Sequence, residues 1–320
     1  IDDIHGWNFL GGPDGENANH IRLEKTRIYA DLKDKYDGKD VVIKTQEEQE
    51  EYILYLEVKE DVESTRSQAE RALGYYKNLM DAAKEADKSK YQGGIDYFEG
   101  QLNYHYNPDF NGRELVGDNP NDFSDVVYGN NDYEGPDALH GTHVAGIVGA
   151  KRGNGLGADG VADNVQLMSL RAVPDGDEFD KDIAMAIRYA VDNGAQVINM
   201  SFGKAYSPNA KEVYEAFVYA DSKGVLLVHA AGNDAKDIGE ESNFPSPMYG
   251  FQTKKLDHWL EIGAGTISLK DGKLAASFSN YSTTLVDVFA PGHEIYNSFP
   301  DNKYSAISGT SMACPMVVGA

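Results

Sequence analysis

Residues 196–233 read QVINMSFGKAYSPNAKEVYEAFVYADSKGVLLVHAAGN, and this stretch decides the fold. It contains two apolar runs, 196–200 and 225–230, that are typical of buried strands. Between them, Ser207 and Pro208 predict a helix start, with the serine as N-cap and the proline as the first helical residue. Apolar residues then recur at helical spacing: Val213, Ala216, Phe217 and Ala220. Because strand–helix–strand units are almost always right-handed, the two strands should lie parallel.

The same alternation extends in both directions from this unit. Upstream, residues 165–173 predict a strand, and residues 180–193 predict an amphipathic helix that stops at Gly194. Downstream, the apolar runs 260–266 and 286–290 predict two further strands. Alternating strands and helices indicate an α/β fold, a doubly wound and mostly parallel sheet with helices on both faces.

The N-terminal third has a different pattern. Residues 45–90 are densely charged and carry apolar residues at helical spacing, which predicts one or two long helices that dock by one face. These apolar positions are Ala69, Leu73, Tyr76, Leu79, Met80 and Ala83. Residues 104–137 are rich in Asn, Asp, Gly and Tyr without helical periodicity, which predicts a long ordered loop. We therefore expect a largely helical, peripheral insertion over 20–105.

The composition excludes several classes of protein. The 320 residues include 52 Asp and Glu against 29 Lys and Arg, and the formal charge of −23 repels nucleic acid and anionic lipid. With 41% hydrophobic residues, the chain can bury a sizeable core. No apolar run approaches the roughly 18 residues that a membrane-spanning helix needs. The single cysteine, Cys314, excludes an internal disulfide and a cysteine-based zinc cluster. The oligomeric state is left open.

Three short motifs carry residues suited to catalysis. Ser311 follows a glycine turn at the start of a helix, where backbone N–H groups and the helix dipole favour the negative charge that a nucleophile develops. His140 opens the helical segment HGTHVAG, and a histidine with a pKa of about 6.5 can take a serine proton at neutral pH. Asn233 ends the run AAGN after a buried strand, and its amide can donate a hydrogen bond to an oxyanion.

Each motif taken alone has a simpler interpretation. A serine at a helix start is commonly an N-cap, and Asn233 alone fits a turn residue. His140 and His143 have the i, i+3 spacing of a metal-binding pair, but no third ligand of suitable spacing stands out and the HExxH motif is absent. The three motifs occur together, however, and each has the strand or helix context that its chemistry requires.

Together these motifs resemble the subtilisin-like serine proteases. The resemblance covers residues 135–320 and, more weakly, the opening segment 2–9, DDIHGWNF. It implies one peptidase domain over 1–320 with its catalytic core at 135–320, and a secreted or cell-envelope protein. It also implies that the substrate is a peptide or protein and that no organic cofactor is required.

The resemblance assigns a role to each residue. His140 would be the general base, Ser311 the nucleophile and Asn233 the oxyanion donor. Two short segments would flank the substrate peptide, and their residues are Ser201, Phe202 and Gly203 in one and Ala230, Ala231 and Gly232 in the other. Independently of the family, small residues at strand ends let another backbone approach and pair as an added strand.

The chain departs from the family pattern in two places. The family's catalytic aspartate precedes Ser-Gly or Thr-Gly, and neither Asp-Ser-Gly nor Asp-Thr-Gly occurs here; Asp96 and Asp137 fit its place poorly. We expect this aspartate upstream of Ile1, in a chain truncated at both ends and therefore weakly active. A long insertion separates the opening segment from His140, and the resemblance gives it no role.

The remaining notable residues have structural interpretations. Cys314, three residues after Ser311, is expected to pack in the core. His229 is expected to be buried or to support the site from behind, because strand alternation points it away from Ala230. The acidic run 175–180 is a candidate for a structural calcium ion, since carboxylates are preferred calcium ligands.

Two other functions fit part of this pattern. One is a noncatalytic relative that keeps the peptide groove as a binding or scaffold surface, and it stays open. The other is an esterase of the α/β-hydrolase type, which needs a GxSxG elbow and a histidine after the serine. Here Ser311 is followed by Met-Ala and His140 precedes it.

Overall fold

The computed structural model describes residues 6–267, 272 and 274–320, so residues 2–5 of the opening segment lie outside the described residues. The strands are β1 Gly6–Asn8, β2 Ser169–Arg171, β3 Val197–Met200, β4 Leu226–Ala230, β5 Trp259–Gly265, β6 Val288–Pro291, β7 Ile295–Phe299 and β8 Lys303–Ile307. The α-helices are α1 Glu24–Tyr36, α2 Gln46–Ala82, α3 Ser89–Gly100, α4 Leu139–Gly149, α5 Asp180–Asp192, α6 Ala210–Ser222 and α7 Thr310–Gly319. None of the helices in the described part of the chain has the length and apolarity to cross a membrane.

The chain divides into two compact units, and the first is built on a parallel sheet. This unit contains the described residues of 1–17, 115–173 and 178–320. Its sheet has the strand order β3-β4-β5-β6, and all neighbouring strands are parallel. β1 and β2 form a separate parallel pair, and β7 and β8 form an antiparallel hairpin. The predicted α/β class with a mostly parallel sheet is confirmed.

Apolar side chains bury the central strands of this sheet. β4 and β5 are buried along most of their length, as is typical of strands covered on both faces. A buried cluster joins them to α7, and its members are Val228, Ala230, Ile262, Ala264, Ala276, Ala290, Ala313 and Cys314. Cys314 is fully buried, as predicted, with its Sγ 3.2 Å from the Val228 carbonyl oxygen. Burial raises the pKa of its thiol to about 12.

Two element boundaries differ from the prediction. α6 begins after Asn209 rather than at Pro208, because Ser207 is used in a tertiary contact. The Asp180 carboxylate accepts a hydrogen bond from Ser207 Oγ at 2.9 Å and another from the Asn209 N–H at 2.8 Å. Asp180 therefore serves the helix start in place of Ser207. The strand predicted over 165–173 is limited to the three residues of β2.

The second unit is helical and comprises residues 18–114 and 174–177. It contains α1, α2 and α3, so the long helices predicted within 45–90 are present. α2 has 37 residues and begins with a capping box, in which Glu48 and Thr45 each bond the other's backbone N–H. Its buried residues are Tyr55, Val58, Val62 and Ala69. The buried stripe thus lies mainly in the first half of α2, and of the predicted stripe only Ala69 is buried.

A buried ion pair anchors α5 in the first unit. The side chain of Lys181 has no exposed surface, and its Nζ lies 2.8 Å from Oδ2 of Asp118, whose side chain is 1% exposed. Nζ also donates to the Asn119 carbonyl oxygen at 2.9 Å and lies 4.4 Å from the centre of the Tyr128 ring. The lysine charge is therefore paired in a dry environment, and it ties the loop before α4 to the first turn of α5.

Lys181→Met should destabilise the protein strongly, because it breaks a buried ion pair by removing one of its two charges. We expect the free energy of unfolding, measured by urea denaturation, to fall by about 3–5 kcal/mol. The matched control is Lys211→Met on the exposed face of α6, which should change it by less than about 0.5 kcal/mol. Equal losses in the two variants would contradict a special role for the buried pair.

Candidate active site

The carboxyl ends of β3 and β4 lie side by side at one edge of the sheet. The two strands are parallel, with Met200 opposite His229, so Ser201 follows one strand and residues 231–233 follow the other. α7 packs against β3, β4, β5 and β6, and its first residue, Thr310, contacts Asn233 at this edge. Reactive groups in α/β proteins are commonly placed at the carboxyl ends of parallel strands.

Ser311 lies in the first turn of α7 and is half-buried. Its Oγ is 3.4 Å from the Ser201 carbonyl oxygen, while Ser201 Oγ donates to the Ser311 carbonyl oxygen at 2.9 Å. These two contacts join the start of the helix to the end of β3. Because the contact of the Ser311 hydroxyl is long, that hydroxyl is available to another partner.

Asn233 is held by the same helix start. Its Oδ1 accepts two hydrogen bonds from Thr310, one from the backbone N–H at 2.8 Å and one from Oγ1–H at 3.0 Å. Since Oδ1 faces two donors, the Nδ2 group must point the other way. Asn233 is exposed, and within the described ranges no acceptor takes its Nδ2 hydrogens. The side chain therefore presents a fixed amide donor in the turn next to Ser311.

Asn280 supports this turn from behind. Its Nδ2 donates to the Ala231 carbonyl oxygen at 2.8 Å, and its Oδ1 accepts from the N–H groups of Asp234 and Lys236 at 2.9 and 3.0 Å. Gly232 has a φ of +103°, and a Cβ there would lie 2.3 Å from Asn280 Nδ2, so glycine is required. Sequence reasoning missed Asn280, because it lies in a loop with no motif that links it to β4.

His140 lies in the first turn of α4, and α4 packs against α7. Its side chain is exposed, so its desolvation by the surrounding protein is only partial. This desolvation, with the nearby His143 ring, lowers the pKa of His140, and Asp137 opposes the shift. A lowered pKa keeps the imidazole neutral at pH 7 and able to accept a proton. The structure thus joins Ser311 and Asn233 through Thr310 and places His140 on the adjoining helix; the catalytic roles of the three stay a prediction.

One ring nitrogen of His143 forms a hydrogen bond within the protein. Its ring is buried, and Nε2 donates to the Ile295 carbonyl oxygen at 3.0 Å. Across the residues that the structure describes, no group of three or more His, Cys, Asp or Glu side chains is arranged to hold a metal ion. This arrangement gives no support to His140 and His143 as a metal-binding pair.

Two carboxylates of the acidic run 175–180 contact side chains that are distant in the sequence. Asp175 bonds to His20 at 2.7 Å, and Asp180 pairs with Lys204 Nζ at the same distance. These carboxylates have nitrogen partners of their own, and a calcium ion in this run stays a prediction.

The two predicted substrate segments differ in accessibility. Gly203 is exposed, and the other two residues of 201–203 are half-buried. Ala230 and Ala231 are buried, and the N–H of Ala231 donates to the Ile262 carbonyl oxygen at 2.9 Å. The backbone of that segment is thus already paired within the protein, and its contact with substrate stays a prediction.

His229 is buried behind this edge, as predicted. Its Nδ1 lies 2.9 and 3.0 Å from the two carboxylate oxygens of Glu261, and its Nε2 lies 2.9 Å from the Phe202 carbonyl oxygen. Sequence reasoning missed Glu261, because a single acid in an apolar strand does not reveal which residue faces it on the next strand.

Comparison with known proteins identifies the family. The model of the subtilase family, peptidase S8, matches residues 19–320. A thermophilic serine proteinase from Bacillus sp. (strain AK1) is 38% identical over 228 residues, which are 71% of this chain and 48% of the relative. Subtilisin DY from Bacillus licheniformis is 37% identical over 182 residues, 57% of this chain and 61% of the relative. The crystal structure of a cold adapted subtilisin-like serine proteinase covers 57% of this chain and 59% of its own, with 31% identity and a TM-score of 0.46.

The chain spans about half the length of the thermophilic proteinase that it matches. The family model, in contrast, extends over nearly all of this chain, including the whole region that contains His140, Asn233 and Ser311. The protein therefore belongs to the subtilase family.

Proposed function

We propose that this protein is a serine endopeptidase that hydrolyses peptide bonds through an acyl-enzyme on Ser311. One observation carries the proposal: Thr310 binds Asn233 Oδ1 with two hydrogen bonds, so that a free amide donor stands beside the nucleophile. Membership of the subtilase family and the similarity to serine proteinases support the same chemistry.

Each step of the proposed reaction is assigned to a residue of the candidate site. Ser311 Oγ attacks the scissile carbonyl carbon while His140 accepts the hydroxyl proton. The carbonyl oxygen becomes an oxyanion, which Asn233 Nδ2 and the positive end of α7 stabilise. His140 then gives its proton to the leaving amine as the C–N bond breaks. Water attacks the acyl ester with His140 again as base, and the free serine is restored.

The exposed edge at Gly203 suits an extended peptide, because a backbone can pair there without meeting a side chain. We infer that the substrate is a peptide or protein, that no organic cofactor takes part, and that the protein acts outside the cytoplasm or in the cell envelope. The noncatalytic alternative uses the same edge for binding without turnover.

We further propose that the carboxylate that orients His140 comes from sequence preceding Ile1. The family's Asp-Ser-Gly or Asp-Thr-Gly motif does not occur in these residues. In the part of the chain that the structure describes, no carboxylate forms a hydrogen bond with His140, and Asp137 acts on it only through its charge.

Asn233→Ala should lower kcat about 100- to 1000-fold, the loss that removal of one oxyanion donor causes in subtilisin, a relative. KM should change little, because the donor acts mainly on the transition state. The measurement is steady-state hydrolysis of a peptide anilide by the full-length protein. Ser311→Ala should abolish turnover, whereas Ser222→Ala, at an exposed serine of α6, should not affect it. Undiminished turnover in Ser311→Ala would overturn the proposal, and a full-length protein without turnover would favour the noncatalytic alternative.

The pKa of His140 in the 320-residue protein should lie below the usual histidine value of about 6.5, because partial desolvation and His143 disfavour the charged ring. Asp137→Asn should lower it further, since the Asp137 carboxylate favours the charged form; the asparagine oxygen can still accept the Leu139 N–H. NMR titration of the His140 ring proton measures both shifts. Asp132→Asn is the control and should not move the midpoint. A midpoint above 6.5, or an upward shift in Asp137→Asn, contradicts this account.

The 320-residue protein should be a poor protease beside a form extended with its upstream sequence. In subtilisin, a relative, loss of the aspartate alone lowers kcat about 3 × 10⁴-fold, because that carboxylate fixes the histidine tautomer and stabilises the imidazolium. Turnover of one peptide anilide is compared between the two forms, each beside its Ser311→Ala variant. Equal Ser311-dependent rates would show that an aspartate within these 320 residues completes the triad.

A further inference from the structure

His229 is a buried titratable residue that the proposed mechanism leaves without a task. It lies in β4 directly opposite Glu261 in β5, and neither side chain has any exposed surface. Glu261 also accepts a hydrogen bond from Trp259 Nε1 at 2.9 Å. On its other side, the His229 ring reaches the carbonyl oxygen of Phe202, in the segment that follows β3.

The two hydrogen-bonded contacts of this ring match those of an imidazolium. Nδ1 faces a carboxylate that already accepts from the Trp259 indole, and Nε2 faces a carbonyl oxygen, which can only accept. Nε2 must therefore donate, and opposite an ionised Glu261 Nδ1 donates as well, which makes His229 an imidazolium paired with the Glu261 carboxylate. Loss of either ring proton would place a nitrogen lone pair opposite the Glu261 carboxylate or the Phe202 carbonyl oxygen.

The electrostatic environment agrees with this assignment. Burial alone lowers the pKa of His229, but the Glu261 charge, the hydrogen bonds to Glu261 and Phe202, and the charge of Glu178 raise it, and the net shift is upward. This upward shift favours the charged form of the ring. A buried ion pair is weak evidence of stabilisation, because two apolar residues of similar volume commonly stabilise a fold as well or better. The role of this ion pair is better inferred from the backbone group to which it is hydrogen-bonded.

The pair holds one peptide group. The Phe202 carbonyl and the Gly203 N–H belong to the same peptide, so a cationic donor on the oxygen polarises the group and makes the N–H a stronger donor. Gly203 is exposed, and among the residues described by the structure its N–H has no hydrogen-bond partner. One residue further on, Lys204 pairs with Phe244 through two backbone hydrogen bonds of 2.8 and 2.9 Å, which fix the far end of the segment.

We propose that the His229–Glu261 pair positions and polarises the Phe202–Gly203 peptide, so that the Gly203 N–H binds the main chain of an extended peptide substrate. His229 and Glu261 are positioning residues that do not touch the reacting atoms. The nature of the ligand rests on the proposed function, whereas the polarised peptide does not.

Two variants separate charge from hydrogen bonding. In Glu261→Gln the amide can donate to Nδ1 and still accept from Trp259, so a neutral His229 keeps its Nε2–H on Phe202 while the positive charge is lost. In the double variant His229→Leu with Glu261→Gln, both the charge and the hydrogen bond to Phe202 are lost. Lys181→Met is the control for a general loss of stability.

The kinetic test uses the full-length protein with two substrates: a peptide with four residues before the scissile bond, and a single-residue ester too short to reach Gly203. We expect KM for the peptide to rise about 3- to 10-fold in Glu261→Gln and further in the double variant, with kcat and ester hydrolysis unchanged. Lys181→Met should leave the ratio of the two activities at its original value. Losses that are equal for peptide and ester would assign the pair a merely structural role and overturn the proposal.

A readout without turnover distinguishes this failure from failure of the proposed function. In the Ser311→Ala background, the NMR signal of the Gly203 amide proton should move upfield in Glu261→Gln, and the His229 ring should show two protonated nitrogens only when Glu261 is present. Titration with the same peptide should shift the Gly203 signal at lower concentration in Ser311→Ala than in its Glu261→Gln form. If the protein hydrolyses nothing but these shifts occur, the inference stands without the protease; an unmoved Gly203 signal in Glu261→Gln overturns it.

Discussion

Two hydrogen bonds from Thr310 to one oxygen of Asn233 connect the two halves of the site. One half is the end of β4, and the other is the start of α7. The Thr310 hydroxyl also accepts from the Gly232 N–H at 3.2 Å, so a single side chain, only 1% exposed, fixes the turn as well as the amide. The contact is available because parallel pairing brings the carboxyl ends of β3 and β4 to one edge, where the helix begins. The position of Ser311 follows from the same geometry, since it is the next residue of α7.

The parts of the fold that local pattern controls could be predicted from sequence. A few consecutive residues are enough to indicate the strands β3, β4, β5 and β6 and the amphipathic helix α5. Short sequence motifs likewise indicate the candidate site residues His140, Asn233 and Ser311. The parts that depend on distant partners could not. Ser207 looks like a helix cap until Asp180 is seen to bind it. Asn280 and Glu261 have no local signal, because their roles exist only once β4 and β5 are paired. The sequence pattern places the buried stripe of α2 in the second half of the helix, whereas most of its buried residues lie in the first half. Periodicity alone does not indicate which turns of a helix pack against another element.

Buried charged side chains repeatedly contact backbone segments that lie outside the helices and strands. Lys181 holds the loop at Asp118, Lys204 with Asp180 holds the segment after β3, and His229 with Glu261 holds the carbonyl of Phe202. Hydrophobic contacts are not directional, so they leave such segments several arrangements of similar energy. A buried charge tolerates few arrangements, because each displaced hydrogen bond exposes it to a low-dielectric environment. These buried charges are costly to desolvate, but they restrict each segment to a single geometry.

The burial of Cys314 has a practical consequence. It is the single cysteine of the sequence, it is fully buried, and burial raises its pKa to about 12, so in the folded protein it is almost entirely a thiol with no access to reagents. Thiolate and exposure together set cysteine reactivity. A cysteine introduced on the surface would therefore be the one modifiable thiol of the native molecule, and a fluorophore or spin label could be attached at a chosen residue without first replacing the natural cysteine.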